Sequence, residues 1–129
     1  MQSKNITTNL TTYVDLAQFS FILKYDPSLF TVKESDLSII ATDTTKNKII
    51  VSVDSKIGQI VLSVSDLMGG PIVKRGEMSL YRVGFTSLSS NVQKMPNVNI
   101  QNISAYDTAL NRISFIIIDD RNTIMMKQL

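Results

Sequence analysis

The chain has 129 residues, 43% of them hydrophobic and 19% charged, and its thirteen basic and eleven acidic side chains leave a net charge of +2. That length suits one domain, residues 1–129, able to bury a core without a metal or crosslink. No apolar run approaches the roughly 20 residues that span a bilayer, and the scattered basic residues offer nucleic acid no patch. With no Cys and no His, disulfides, thiolate metal sites, a cysteine nucleophile and the commonest general base are all absent, so an enzyme is not expected.

Taken in chain order, the predicted elements are almost all strands. Ile6 to Val14 comes first, followed by Ala17 to Tyr25, in which Phe19, Phe21, Leu23 and Tyr25 share one side while Ser20, Ile22 and Lys24 share the other. This period of two marks a half-buried strand. Asp26-Pro27 ends it, because Pro27 lacks an N–H and Asp26 can accept bonds from the following backbone. Two short candidates follow, Thr31 to Lys33 and Leu37 to Ala41, with Ser35 to Ile40 able to hold one helical turn at most. Lys48 to Asp54 and Gln59 to Ser65 alternate strictly, predicting inward rows of Ile49, Val51 and Val53 and of Ile60, Leu62 and Val64.

Beyond the Gly-rich corner Met68-Gly-Gly-Pro71, the longest strand runs from Glu77 to Ser87 with Tyr81, Val83 and Phe85 inward and Met78 entering from the turn. Ser87 to Asn97 reads as a longer loop. Val98 to Tyr106 alternates irregularly, predicting a bulge near Asn102, and Arg112 to Ile118 is the last strand. Arg121 to Leu129 lacks strand-like alternation and reads as a flexible or interacting tail that includes Met125 and Met126. The whole describes an all-β protein, a two-sheet antiparallel sandwich of about nine strands with little or no helix.

Three pieces, in this order, resemble the cohesin domain, a jelly-roll sandwich related to cellulase carbohydrate-binding modules. They are Ala17 to Val32 with its Tyr25-Asp-Pro27 stop, the Ile60 to Gly70 and Gly76 to Phe85 pair, and the Val98 to Asn111 strand and turn with its successor. The resemblance implies noncovalent capture of a dockerin or other protein partner on one sheet face, with no cofactor of the chain's own and any calcium carried by the partner. Carried over by position, the partner-binding residues are Gln18, Ser20, Asp66, Leu67, Gly69 and Gly70. Cohesins often have Asn and Asp where Gln18 and Ser20 stand, so hydrogen bonding is retained and a negative charge is not. The family also has a further strand before the one matched by Ile6 to Val14, which leaves that strand's flank open or served by Met1 to Leu10 in shortened form.

The resemblance implies an extracellular or cell-surface location within a larger exported protein. Two other readings stay open. A carbohydrate-binding module would use exposed aromatics, yet there is no Trp, and Tyr13, Tyr25, Tyr81 and Tyr106 are mostly assigned inward. A structural jelly-roll subunit would self-associate through an exposed edge strand, giving a homodimer. Asp43, Asp54, Asp66 and Asp107 could meet around calcium, but as turn residues they more simply cap backbone N–H groups.

Overall fold

A computed structural model describes residues 3–40, 47–66, 71–89, 95–119 and 122–127. Ten strands form two sheets: β1 (Ser3–Thr12), β2 (Leu16–Lys24), β3 (Phe30–Thr31), β4 (Leu37–Ile39), β5 (Asn47–Asp54), β6 (Gln59–Asp66), β7 (Gly76–Ser87), β8 (Asn99–Asp107), β9 (Phe115–Ile118) and β10 (Thr123–Lys127). One sheet has the order β3-β7-β1-β10-β9 with β4 also on β7, and the other has the order β5-β6-β2-β8. The only helical element among the described residues is a 3₁₀ turn at Glu34–Asp36, where the Lys33 N–H donates to Asp36 Oδ2 at 3.0 Å.

Nine of the strands lie where alternation puts them, with ends shifted by a few residues, because side chains pointing to a single face must bury together. The inward row of β2, Phe19, Phe21 and Leu23, continued by Tyr25 just past its end, meets Tyr81, Val83 and Phe85 of β7 across the sandwich, all of them buried. The Phe21 and Tyr81 rings stack at 5.0 Å, and Tyr25 meets Phe85 edge-on at 5.5 Å. Ile49, Val51 and Val53 sit on the same inward side but stay half-buried, because β5 is a sheet edge. The expected irregularity in β8 is present: Asn102 has φ 53°, and the pairing with β2 shifts between Ser20 and Ile22. A second bulge, in β7, was not anticipated. Thr8 faces Tyr81 while Asn9 faces Ser79, so Leu80 is the extra residue and both it and Tyr81 turn inward.

The C-terminal segment departs from expectation. Instead of a tail, residues 123–127 form β10, which pairs in parallel with Asn9 to Thr12 of β1 and antiparallel with β9. Ile124 is 1% exposed and Met126 3%, so Met126 is a core residue rather than part of a loose end. Alternation over five residues was present, but two adjacent methionines masked it. The turn before β10 is held locally: Asn122 takes φ 64°, its side chain donates to Thr8 Oγ1 at 3.0 Å, and Thr123 N–H donates to Asp119 Oδ1 at 2.9 Å. Asp119 thus ends β9 and caps the next turn.

Tyr81 is fully buried, its hydroxyl makes no hydrogen bond of normal geometry, and desolvation holds its pKa well above the usual phenol range, with nearby Thr8 pulling the other way. An unsatisfied buried hydroxyl costs about 1–3 kcal/mol. Tyr81→Phe should therefore leave the urea midpoint unchanged or raise it. For β10, Ile124→Ala should lower stability by about 2–5 kcal/mol by leaving a cavity. Half-buried Met125→Ala should cost much less, and equal small effects of the two would mean the segment does not pack.

Candidate functional site

The four-stranded sheet turns one face to the core and the other outward, and strand pairing fixes the outward grid. Gln18 lies between Ser65 and Tyr106, Ser20 between Ser63 and Ser104, Ile22 between Val61 and Gln101, and Lys24 between Gln59 and Asn99. On the β5 side, Lys48 faces Ser65, Ile50 faces Ser63, Ser52 faces Val61 and Asp54 faces Gln59. The row Ser63, Ser20, Ser104 is made of short side chains on three adjacent strands, so it forms a trough about 10 Å across. Gln18 and Tyr106 border it on one side, and together with the three serines they line a surface depression. On the other side stand Val61 and Ile22, and Ile50, 50% exposed, closes the β5 end.

The trough offers hydroxyl and amide groups that donate and accept, framed by aliphatic contacts. Its margins carry Lys24, Lys48 and Asp54, with no other charge on the grid. A surface of this kind holds a partner by hydrogen bonding and close packing, with charge contributing orientation more than affinity.

Of the residues expected from sequence, Gln18 and Ser20 lie at the centre of this face. Asp66 does not share it: it follows Ser65 by one residue and so has the parity of Ile60, Leu62 and Val64, at the strand end opposite Asn47. Leu67, Gly69 and Gly70 lie outside the described residues. Tyr106, mostly assigned inward, instead belongs to the outward set, and Tyr13 is 38% exposed, while Tyr25 and Tyr81 are buried as expected. Ser63, Ser104, Tyr106 and Ile50, which share this face with Gln18 and Ser20, were not among the residues expected from sequence. Alternation had revealed which side of each strand they occupy, but not that β6 and β8 flank β2.

The motif that carried the resemblance works as a clamp at one end of the face. Tyr25 N–H donates to the Gly58 carbonyl at 2.9 Å, tying the exit of β2 to the β5–β6 turn. Asp26 Oδ1 accepts from Ser28 N–H at 2.9 Å and from Ser28 Oγ at 2.6 Å, and these bonds hold its pKa below the ordinary carboxylate value. Elsewhere, Asp54 caps Lys56 N–H at 3.1 Å and Asp107 caps Ala109 and Asn111 N–H at 2.9 and 2.8 Å. These carboxylates serve turns, and among the described residues no three metal-ligating side chains cluster.

Superposition on solved structures identifies the architecture. The CaCohA2 cohesin in complex with a CaDoc0917 variant matches with a TM-score of 0.74 at 17% identity over 98% of this chain and 90% of that one. This chain has the cohesin fold. The sixth cohesin of Acetivibrio cellulolyticus scaffoldin B, solved with a Cel5 dockerin mutant, matches at 0.66 and 13% identity over 96% and 99% of the two chains. A type I cohesin–dockerin complex from Clostridium thermocellum gives 0.65 and 13% over 87% and 88%. No family model and no curated protein matches the sequence.

The clamp makes a direct prediction. Gly58 has φ +69°, and a Cβ there would run into the Tyr25 carbonyl and lie 2.8 Å from Pro27 Cδ. Gly58→Ala should lower stability by more than the about 1–3 kcal/mol of a strained backbone alone, measured by chemical denaturation. A loss within about 0.5 kcal/mol, the scale of a neutral surface substitution, would show that the turn does not grip the Tyr25-Asp26-Pro27 corner.

Proposed function

We propose that the chain is a noncatalytic recognition module that captures a dockerin-type protein on the outer face of β5, β6, β2 and β8. The observation that carries this reading is the serine trough around Ser20, set in a fold whose solved counterparts include cohesins in complex with dockerins. Three short hydroxyl side chains side by side let a helical partner approach closely, while Gln18 and Tyr106 supply directional contacts and Ile50, Ile22 and Val61 supply apolar area. The module needs no cofactor for this, and calcium belongs to the partner.

The absence of His and Cys supports a noncatalytic role. Among the described residues no helix is long and apolar enough to cross a membrane. A place outside the cell or on its surface, within a larger exported polypeptide, fits the reading. A polysaccharide platform fits less well: flat glycan sites use several coplanar rings, and the grid presents only Tyr106.

The face can be tested against a panel of immobilised, calcium-loaded dockerins. Ser20→Arg fills the trough with a long charged side chain, and Ile50→Asp places a carboxylate at its apolar end. The double variant should keep the wild-type circular dichroism and lose at least tenfold in affinity. Unchanged binding would reject this face, and failure of the wild-type protein to bind any member of the panel would reject the dockerin reading.

A further inference from the structure

The pairing that sets out the outer grid continues beyond β8. Lys48 pairs with Ser65, Ser65 with Gln18 and Gln18 with Tyr106, and an isolated antiparallel bridge then joins Tyr106 to Arg112. Bridged residues point to the same side of a sheet, and Ile113, the next residue, is only 3% exposed, so Arg112 faces outward with Tyr106. One row therefore crosses five strand positions with an exposed cation at each end, Lys48 and Arg112, and only Ser65, Gln18 and Tyr106 between them. At about 4.8 Å per strand the row is about 19 Å long, and it runs beside the serine trough at a distance of about 7 Å, two residues along each strand. Among the described residues no carboxylate stands on this row or in the trough. Asp54, the one acid of the grid, lies at the far end of β5 and accepts the Lys56 N–H at 3.1 Å. Asp107, next to Tyr106 in sequence, directs both carboxylate oxygens into its own turn, to the Ala109 and Asn111 N–H groups and the Asn111 side chain.

We infer that the partner lays across the strands, in the serine trough, a helix with an acidic side chain towards each end, one meeting Lys48 and the other Arg112. This rests on the outer face proposed above as the docking face, and it adds the kind of helix that face takes. The strands β6 and β2 are paired on both sides, so the middle of the face offers side chains and no free backbone, and an extended strand lying across it would find nothing to pair with. A helix satisfies its own backbone and needs only a channel and side chains to pack on. With a rise of 1.5 Å per residue, positions i and i+11 are about 16 Å apart, and three turns return them to the same side of the helix. Two carboxylates at that spacing fall close to the ends of the row, and the long lysine and arginine side chains cover the remaining distance. Arg112 can take its carboxylate through two parallel N–H bonds, whereas Lys48 acts as a point charge. Exposed pairs of this kind add little to affinity; they discriminate, because a helix with Lys or Arg at those two places meets like charge at both ends.

The test uses the whole chain and two kinds of probe. The first is a hydrocarbon-stapled, alanine-based helical peptide with two glutamates eleven positions apart, set against the same peptide with two lysines. In NMR titrations the glutamate peptide should shift the amides of Gln18, Ser20 and Tyr106, and the lysine peptide should bind at least fivefold more weakly. Lys48→Glu/Arg112→Glu should keep the wild-type circular dichroism and exchange the two preferences, and about 0.5 M NaCl should erase the difference. Should that double variant fold poorly, Lys48→Gln/Arg112→Gln decides in its place, and there the preference should vanish. The second probe is the panel of immobilised, calcium-loaded dockerins, of which those with acidic docking helices should be captured ahead of those with basic ones. Equal binding of the two peptides, a preference for the lysine peptide, or no shift of the grid by either at millimolar concentration overturns the proposal. Dockerins captured without regard to the charge of their helices also overturn it, and leave the docking face itself standing. A glutamate preference among the peptides with no dockerin captured supports the acidic helix and rejects the dockerin reading alone.

Discussion

The contact on which the rest depends is the meeting of β2 and β7 across the sandwich, where Phe21 stacks on Tyr81 and Tyr25 meets Phe85 edge-on. Because successive side chains of a strand point opposite ways, committing Phe19, Phe21, Leu23 and Tyr25 to this contact forces Gln18, Ser20, Ile22 and Lys24 outward. The outer grid is thus the reverse side of the core. A slip of one residue in β2 would place rings in water and serines in the interior, which is why the register of the face is as secure as the packing behind it.

Two devices keep that register. The Tyr25-Asp26-Pro27 corner is gripped from the β5–β6 turn through Gly58, so β2 and β6 are aligned at one end before their ladder begins. At the other side of β2, the bulge at Asn102 absorbs a residue of β8 and returns Ser104 and Tyr106 to positions opposite Ser20 and Gln18. Without it, β8 would meet β2 out of phase. The bulge therefore shapes the trough although it makes no part of its lining.

The second sheet is built differently, and its weak point is informative. The strand β1 is fully served by β7 yet only half served by β10, which enters in parallel from the far end of the sequence. Closing the sheet with a C-terminal strand buries Ile124 and Met126 and completes the core near Leu10. Among the described residues no further strand joins the opposite half of that side of β1, and Ile6 there stays half-buried.

Local alternation of apolar and polar residues was enough to read the strand class, the inward rows of β2, β6 and most of β7, the stop at Asp26-Pro27 and the bulge near Asn102, since each depends on neighbours within a few positions. It also identified Gln18 and Ser20 as outward. What it could not supply was adjacency: that β6 and β8 flank β2, bringing Ser63, Ser104 and Tyr106 beside Ser20, and that Asp66 falls on the other side. Nor could it show that Thr123 to Lys127 joins β1 across the length of the chain, because a five-residue strand with little signal of its own is specified by the space it fills. Pairing between distant segments is decided by burial and hydrogen bonding in the assembled sandwich, where a short strand gains partners that its own residues do not reveal.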